Sequence, residues 1–385
     1  MKQILLTGKH YITLIVVPID PSFPIMGGIE AYSRNLLEYL SNNSMASILM
    51  GVSYTGVIKD MDKVLFIPVS HHRRISGYEY MFRIMFKTLF TRIPNSIIIY
   101  AQSPEYMLPF ILFHRKNPKL VHLHGNILKL NREQRLPIVS FLYKLTELFV
   151  LKRSNIIIMA DDITKEYYIR EYPWLSKKIQ VIPTPIDLNM FKLLDRKKLR
   201  IQYGFEENEK VVIYLGRLAK EKNLSFLLKS FSFVSKSIPE STLIFVGDGK
   251  DLAHLKQLSR SLKLVKVRFM GVQDPNKIPE ILNCADVLVL CSTSEGSPNV
   301  VKEALACGVP IVSTPVGDVP KIVVDETIVK IVNYDQEKYA KAIMETIINN
   351  EGESFRIKCA LAAASFGFDT MGIKITEIFK NLFTN

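Results

Sequence analysis

The chain has 385 residues, 48% hydrophobic and 23% charged, a balance that excludes disorder and a length that exceeds one ordinary domain. Four cysteines, Cys284, Cys291, Cys307 and Cys359, form no Cys-x-x-Cys pair, which argues against a disulfide framework or a zinc site and suits a reducing compartment. The formal charge of +13 is uneven: residues 51–150 hold 14 Lys/Arg against 6 Asp/Glu, an excess of +8 suited to nucleic acid, an anionic membrane or phosphorylated substrates.

The N-terminal apolar run Ile12 to Val17 is too short to span a bilayer, and no small-residue cleavage site follows it, so a cytoplasmic protein is expected. Short apolar strands then alternate with amphipathic helices, the pattern of parallel α/β layering. Strands are expected near Leu14–Pro18, Ile48–Val52, Ile97–Tyr100, Leu120–Leu123 and Ile156–Met159, with helices over Ile29–Leu40, Tyr78–Phe90 and Leu136–Lys152. Pro183-Thr184-Pro185-Ile186-Asp187 follows, where two prolines deny helix and central-strand geometry, and Asp195–Arg200 reads as the first helix of a second domain. The pattern restarts with strands at Val211–Leu215, Thr242–Val246, Val267–Phe269 and Asp286–Cys291. Helices are expected over Leu224–Val234, Asp251–Leu262 and Asn299–Cys307. Two α/β domains joined by a linker are expected to face a cleft, a common place for a ligand.

Gly27-Gly28 lies between a strand end and a helix start, where backbone N–H groups can approach an anion; a tight turn explains the pair equally well. His124 closes a buried-looking strand at its carboxyl end, where parallel sheets bind ligands. Period-two alternation puts His122 on the same face, and no carboxylate or cysteine joins the two at metal-ligand spacing.

Gly216-Arg217-Leu218-Ala219-Lys220-Glu221-Lys222-Asn223 follows an apolar strand, so Arg217 and Lys222 stand at the mouth of a sheet as a planar fork and a point charge suited to a diphosphate. Gly247-Asp248-Gly249 follows the next strand; Leu252 occupies the third glycine position of a dinucleotide fingerprint, which weighs against NAD. The richest segment runs from Ser294 to Pro310. Glu295 sits in a loop, Pro298 fits a first helical turn, Gly308 stops the helix, and the N–H groups of Gly296, Ser297, Asn299 and Val300 would face an anion. Glu303, eight residues beyond Glu295, offers a second carboxylate, so one can hold a sugar and the other a ribose.

Taken together, Gly27-Gly28-Ile29-Glu30, His124-Gly125, Gly216-Arg217 with Glu221-Lys222-Asn223, Val246-Gly247-Asp248-Gly249 and Glu295-x7-Glu303 running into Ala304-Leu305-Ala306-Cys307-Gly308-Val309-Pro310 resemble the family-4 retaining glycosyltransferases of GT-B fold. The resemblance covers nearly the whole chain. It implies an α/β fold of two Rossmann-like doubly wound domains, residues 1–190 on the acceptor side and 191–365 on the donor side, with a last helix in 366–385 crossing back. It implies that Arg217 and Lys222 bind the diphosphate of a UDP- or GDP-sugar, Glu303 the ribose, and Glu295 with Gly296 and Ser297 the transferred sugar. His124 would lie at that sugar's other side, and Gly27-Gly28 near donor phosphate and acceptor. Metal and other cofactors are not expected, because two cations and a helix N-terminus neutralise the phosphates.

Two departures stand out: the usual Pro-Asn-Gly-Val-Asp is Pro183-Thr184-Pro185-Ile186-Asp187, and the usual Gly-Gly-x-Pro-Glu is Gly317-Asp318-Val319-Pro320-Lys321. A glycan or lipid-linked acceptor is expected, in cell-surface polysaccharide or glycoconjugate synthesis. Residues 71–93 suggest an anionic membrane surface on the inner face of the cell membrane. There, His71, His72, Arg73 and Arg74 precede a helical stripe of Tyr78, Met81, Phe82, Met85, Phe86, Leu89 and Phe90, with Arg83, Lys87 and Arg92 among them. A core helix packed on the sheet is the competing reading. Two other functions are weaker: a glycoside hydrolase using Glu295 and Glu303 leaves Arg217 and Lys222 without a role, and a basic nucleic-acid-binding protein leaves the second-half motifs without one.

Overall fold

The computed structural model describes residues 12–22, 28–54, 63–71, 76–124, 137–322, 325–349 and 352–384. Gly27, His72, Arg73, Arg74 and Gly125 lie outside them. The chain forms two compact units, Met1–Thr184 with Phe368–Asn385, and Pro185–Gly367.

Among the described residues the first unit holds seven parallel strands: β1 (Thr13–Val16), β2 (Ser47–Val52), β3 (Val64–Ser70), β4 (Ile98–Ala101), β5 (Lys119–Leu123), β6 (Ile156–Met159) and β7 (Ile179–Val181). Their order is β3-β2-β1-β4-β5-β6-β7, so the strand order reverses between β1 and β4. Side-chain alternation sorts the strand residues between two cores. Leu14, Val16, Ile99, Ala101, Val121 and Leu123 meet the helices Gly77–Leu89, Pro104–Phe113, Pro137–Arg153 and Asp162–Glu171 on one face. Ile15, Val17, Ile98, Tyr100 and Leu120 meet the helices Gly28–Asn42 and Phe368–Thr384 on the other. The last helix therefore packs on the first unit, with Met371, Ile375, Ile378 and Phe379 in its core. Gly372 lets it approach closely, since a Cβ there would collide with the Tyr39 ring.

Among the described residues the second unit has six parallel strands: β8 (Lys210–Leu215), β9 (Ser241–Val246), β10 (Val267–Gly271), β11 (Val287–Leu290), β12 (Ile311–Ser313) and β13 (Val329–Ile331). Their order, β10-β9-β8-β11-β12-β13, is the doubly wound order, with its reversal between β8 and β11. All four cysteines are free and buried in this unit, where burial pushes the thiols up to about 12.

Several elements differ from the sequence reading. β3 is absent from it because Pro68 reads as a strand breaker; here β3 is the edge strand, where a missing N–H is tolerated. The helix Pro104–Phe113 carries Pro109 inside it and is apolar all round, so it shows no 3.6-residue stripe. Pro298 stands at the N-cap of the helix Asn299–Ala306, one residue before the first turn in which it was expected. The stripe of residues 77–89 divides: Tyr80, Met81 and Ile84 are buried, whereas Phe82, Phe86 and Leu89, with Phe90 just beyond, face outward.

The Glu147 carboxyl lies wholly inside the first unit. Glu147 Oε1 accepts a hydrogen bond from Tyr168 Oη at 2.7 Å, and Oε2 has no hydrogen-bond partner among the described residues. Burial pushes this carboxyl up to about 7 from 4.5. A folded value above the unfolded one gives stability that is fully present below the unfolded value and lost as pH rises through the folded value. Glu147→Gln keeps an acceptor for Tyr168 and removes that loss. It should stabilise the protein above pH 7, by on the order of 3 kcal/mol, with the advantage vanishing near pH 4.5. Thermal melts of variant and parent that coincide at pH 8 would contradict this.

Candidate functional site

Most expected donor-site residues stand at the carboxyl ends of β8, β9 and β11. After Leu215 the chain does not turn away at once. Gly216 N donates to Val246 O at 3.0 Å and Leu218 N to Asp248 O at 2.9 Å, so the segment carrying Arg217 runs beside Gly247-Asp248-Gly249. That approach requires glycine: Gly247 has φ +131°, and a Cβ there would collide with the Gly216 carbonyl oxygen. Arg217 is exposed and paired with Glu221 at 2.7 Å, and Tyr214 Oη holds the Arg217 carbonyl at 3.0 Å. Asp248 is exposed, its carboxylate accepting from Gly249 N at 2.7 Å.

Across the switch point, the loop after β11 is sewn to the loop after β8. Thr293 N donates to Glu221 O at 2.8 Å, and Cys291 Sγ lies 3.2 Å from Lys222 O. This brings Lys222 Nζ to within 2.6 Å of Glu295 Oε1, two residues 73 positions apart. Ser292 Oγ donates to the same oxygen at 2.6 Å. Both bonds use Oε1, and the pair is largely shielded, with side chains 18% and 14% exposed.

Next to Glu295, Gly317 at φ +57° lets its turn lie against the Gly296 carbonyl, which a Cβ would strike, and Asp318 N donates to that carbonyl at 2.9 Å. Lys302, fully buried, donates from Nζ to Ser297 Oγ at 2.7 Å and so braces the loop from the helix behind it. Asn299 and Val300 open that helix, and Asn299 Oδ1 is buried with no hydrogen-bond partner among the described residues. Glu303 sits one turn further on. Its carboxylate makes no hydrogen bond to a described residue, and burial pushes it up to about 7, against the lowering pull of Lys302. Among the described residues no hydrogen bond or ion pair joins Glu303 to Lys222 or Glu295.

In the first unit His124 follows β5 directly. The rings of His122 and His124 stack with centroids 3.8 Å apart, which places both on one face of the sheet. His122 is buried deeper and meets Tyr100 Oη through Nδ1 at 2.9 Å; Tyr100 Oη in turn lies 2.7 Å from Tyr32 Oη. His124 donates from Nε2 to Gln102 Oε1 at 2.7 Å, leaving Nδ1 as an acceptor. Burial lowers His124 to about 3, so the imidazole is neutral at pH 7. Gly28 is the first residue of the helix Gly28–Asn42, at the carboxyl end of β1.

The residues missed by sequence reasoning are the supporting ones: Ser292, Lys302 and Gln102. A lysine between Val301 and Glu303 reads as a solvated helix charge, and nothing in the local pattern signals its burial. Gln102 could have been found, because it follows the strand next to the one that ends before His124.

The sequence pattern of the glycosyl transferases group 1 family matches residues 195–360. The N-acetyl-alpha-D-glucosaminyl L-malate synthase of Bacillus anthracis is 32% identical over 149 residues, 38% of this chain and 38% of that protein. The UDP-Gal:alpha-D-GlcNAc-diphosphoundecaprenol alpha-1,3-galactosyltransferase of Escherichia coli is 30% identical over 200 residues, 51% of each chain. The chain thus spans about half the length, or less, of these curated relatives. Among solved structures, sucrose-phosphate synthase from Thermosynechococcus elongatus superimposes with a TM-score of 0.75 at 19% identity, over 97% of this chain and 100% of that one. Anabaena HepE in complex with UDP gives 0.73 at 18% identity, over 97% and 100%. At such identities the likeness speaks for the fold, which is GT-B. Residues 195–360 thus match the glycosyl transferases group 1 pattern, and the whole chain is similar in fold to the GT-B structures.

Proposed function

We propose that the protein is a retaining glycosyltransferase that moves a hexose-type sugar from a UDP- or GDP-sugar to a glycan or lipid-linked acceptor, in cell-surface polysaccharide or glycoconjugate synthesis. The observation that carries this reading is the Lys222–Glu295 pair at the β8/β11 switch point, beside a glycine turn and the start of a helix with no side-chain cap. A cation, a carboxylate and the N–H groups that open a helix stand near one another in this unit, chemistry that suits a nucleotide-diphosphate sugar.

Arg217 and Lys222 take the diphosphate, and Lys222 stabilises the charge that grows as the bond from C1 to phosphate oxygen breaks. Glu295, with the backbone of Gly296 and Ser297, holds the sugar hydroxyls. Glu303 accepts hydrogen bonds from the ribose. Gly216, Gly247 and Asp248 shape the turn beside the nucleotide, and Asn299 and Val300 present the helix N-terminus. Gly27 and Gly28 would serve the donor phosphate and acceptor, and His124, neutral, would hydrogen-bond a sugar hydroxyl. Transfer is front-face: the acceptor oxygen bonds to C1 on the side the phosphate leaves, and the acceptor proton passes to the departing phosphate oxygen.

No divalent metal is needed in this scheme. Transfer should survive excess chelator, and a complete loss restored by magnesium or manganese would contradict it. The state of Glu303 adds a pH dependence. Only the carboxylate accepts both ribose hydroxyls, so affinity for the nucleotide diphosphate should rise as pH rises through about 7. Titration calorimetry at pH 6 and pH 8 checks this; equal affinities would count against Glu303 as the ribose ligand. The protein is proposed to work in the cytoplasm at the inner face of the membrane, through residues 71–93. No helix among the described residues is long and apolar enough to cross a membrane. Incubation with a panel of UDP- and GDP-sugars, read as slow donor hydrolysis, tests the function; no nucleotide diphosphate released from any donor would defeat it.

A further inference from the structure

The helices Gly77–Leu89, Pro104–Phe113 and Pro137–Arg153 lie side by side on one face of the first sheet, the middle one packed against both neighbours. Their inner faces fill the core, but their outer faces are not polar. Phe86 is 67% exposed and Phe90 75% on the first; Phe113 is 42% exposed on the second; Phe141 is 60%, Leu142 56% and Phe149 37% exposed on the third. Such side chains, spread over three adjacent helices, make an apolar surface of the kind that marks an interaction site.

The charge at the C-terminal ends of these helices has one sign. Each helix runs back from the carboxyl edge of the sheet, so their C-terminal ends gather at the opposite edge. Exposed Arg92, Arg115, Lys116, Lys152 and Arg153 stand at those ends. The guanidinium of Arg153 lies 4.8 Å over the Phe149 ring, cation and aromatic side by side at the surface. Among the described residues of the three helices, the exposed carboxylate is Glu79, and Arg83 already holds it at 2.9 Å. A second copy of the chain seated on this face would bring together two surfaces that each carry net positive charge. A bilayer with anionic headgroups matches both halves, taking the aromatic rings at the interface and placing phosphates among the cations.

We propose that the outer face of this three-helix layer is a membrane-docking surface selective for anionic lipid. This rests on the peripheral-membrane reading of residues 71–93 and extends it from one helix to three. It does not depend on the transfer chemistry.

The full chain should sediment with vesicles of phosphatidylcholine containing about a third phosphatidylglycerol, and at least tenfold less with phosphatidylcholine alone at low salt. Phe141→Ser with Phe149→Ser, and separately Arg115→Glu with Lys152→Glu and Arg153→Glu, leave residues 77–93 intact. Each set should weaken partitioning at least tenfold while melting temperature and donor hydrolysis stay at the parent's values. Equal binding to both vesicle types would overturn the proposal. So would full binding by both variant sets, with loss seen only for Phe86→Ser and Phe90→Ser, although the one-helix reading would then stand. Sedimentation equilibrium showing a dimer that Phe141→Ser dissolves would overturn it in favour of self-association. Loss of donor hydrolysis in the parent, with vesicle binding kept, would instead count against the proposed enzymatic function alone.

Discussion

Lys222→Ala should lower turnover by ~10²–10³, the scale expected when one preorganised charge stabiliser is removed from a developing leaving group. Lys222 is held where the loops after β8 and β11 are bonded together, so its ammonium is positioned before any donor arrives. The ion pair with Glu295 gives the substitution a second consequence. Removing the lysine leaves a shielded carboxylate without its cation, which costs stability as well as activity. Thermal melts separate the two effects: Lys222→Ala combined with Glu295→Gln should recover the lost stability and none of the lost turnover. Transfer by Lys222→Ala within fivefold of the parent, in a folded protein, would remove Lys222 from the chemistry.

The two glutamates should fail differently. Glu295 is engaged by Lys222 and Ser292 through one oxygen, in the loop braced by Gly317 and Lys302. Glu303 stands apart on the helix, with no hydrogen bond to a described residue and a carboxyl raised by burial to about 7. Glu295→Ala should lower turnover by ~10² or more and keep affinity for the bare nucleotide diphosphate. Glu303→Ala should weaken that affinity about tenfold or more, as expected when a charged hydrogen-bond acceptor is lost, with a smaller effect on turnover at saturating donor. Calorimetry with the nucleotide diphosphate, beside single-turnover rates, reads both; the reverse pattern would exchange the two roles.

The grouping of the candidate site residues at strand ends was more legible in the sequence than the elements around them, for a physical reason. Where a parallel strand ends at a ligand-facing edge, the chain needs glycine for close approach, and Gly216, Gly247 and Gly317 mark such points against apolar strands that are easy to see. The charges between them, Arg217, Lys222 and Glu295, then fall at strand ends by spacing alone. Period-two alternation likewise put His122 and His124 on one face, and the rings stack there.

What could not be read depends on contacts distant in sequence. Lys302 is buried because Ser297 and the Phe366 ring receive it, and neither contact shows in an eight-residue helix. β3 and the helix Pro104–Phe113 break local rules at Pro68 and Pro109, and only their edge or packed positions excuse them. The aromatic stripe of residues 77–89 was ambiguous for a different reason: one set of its residues packs on the sheet while another set faces outward, so core and surface readings each fitted half of it.

The proposed transfer runs with retention from a nucleotide-diphosphate sugar. The most direct measurement follows the anomeric proton of the product by NMR, using an α-configured UDP- or GDP-sugar and an acceptor that supports turnover. The first-formed product should be the α-glycoside, with nucleotide diphosphate released in equal amount and the rate unaffected by chelator. A β-glycoside as the first product, or glycoside formed without release of nucleotide diphosphate, would contradict the account.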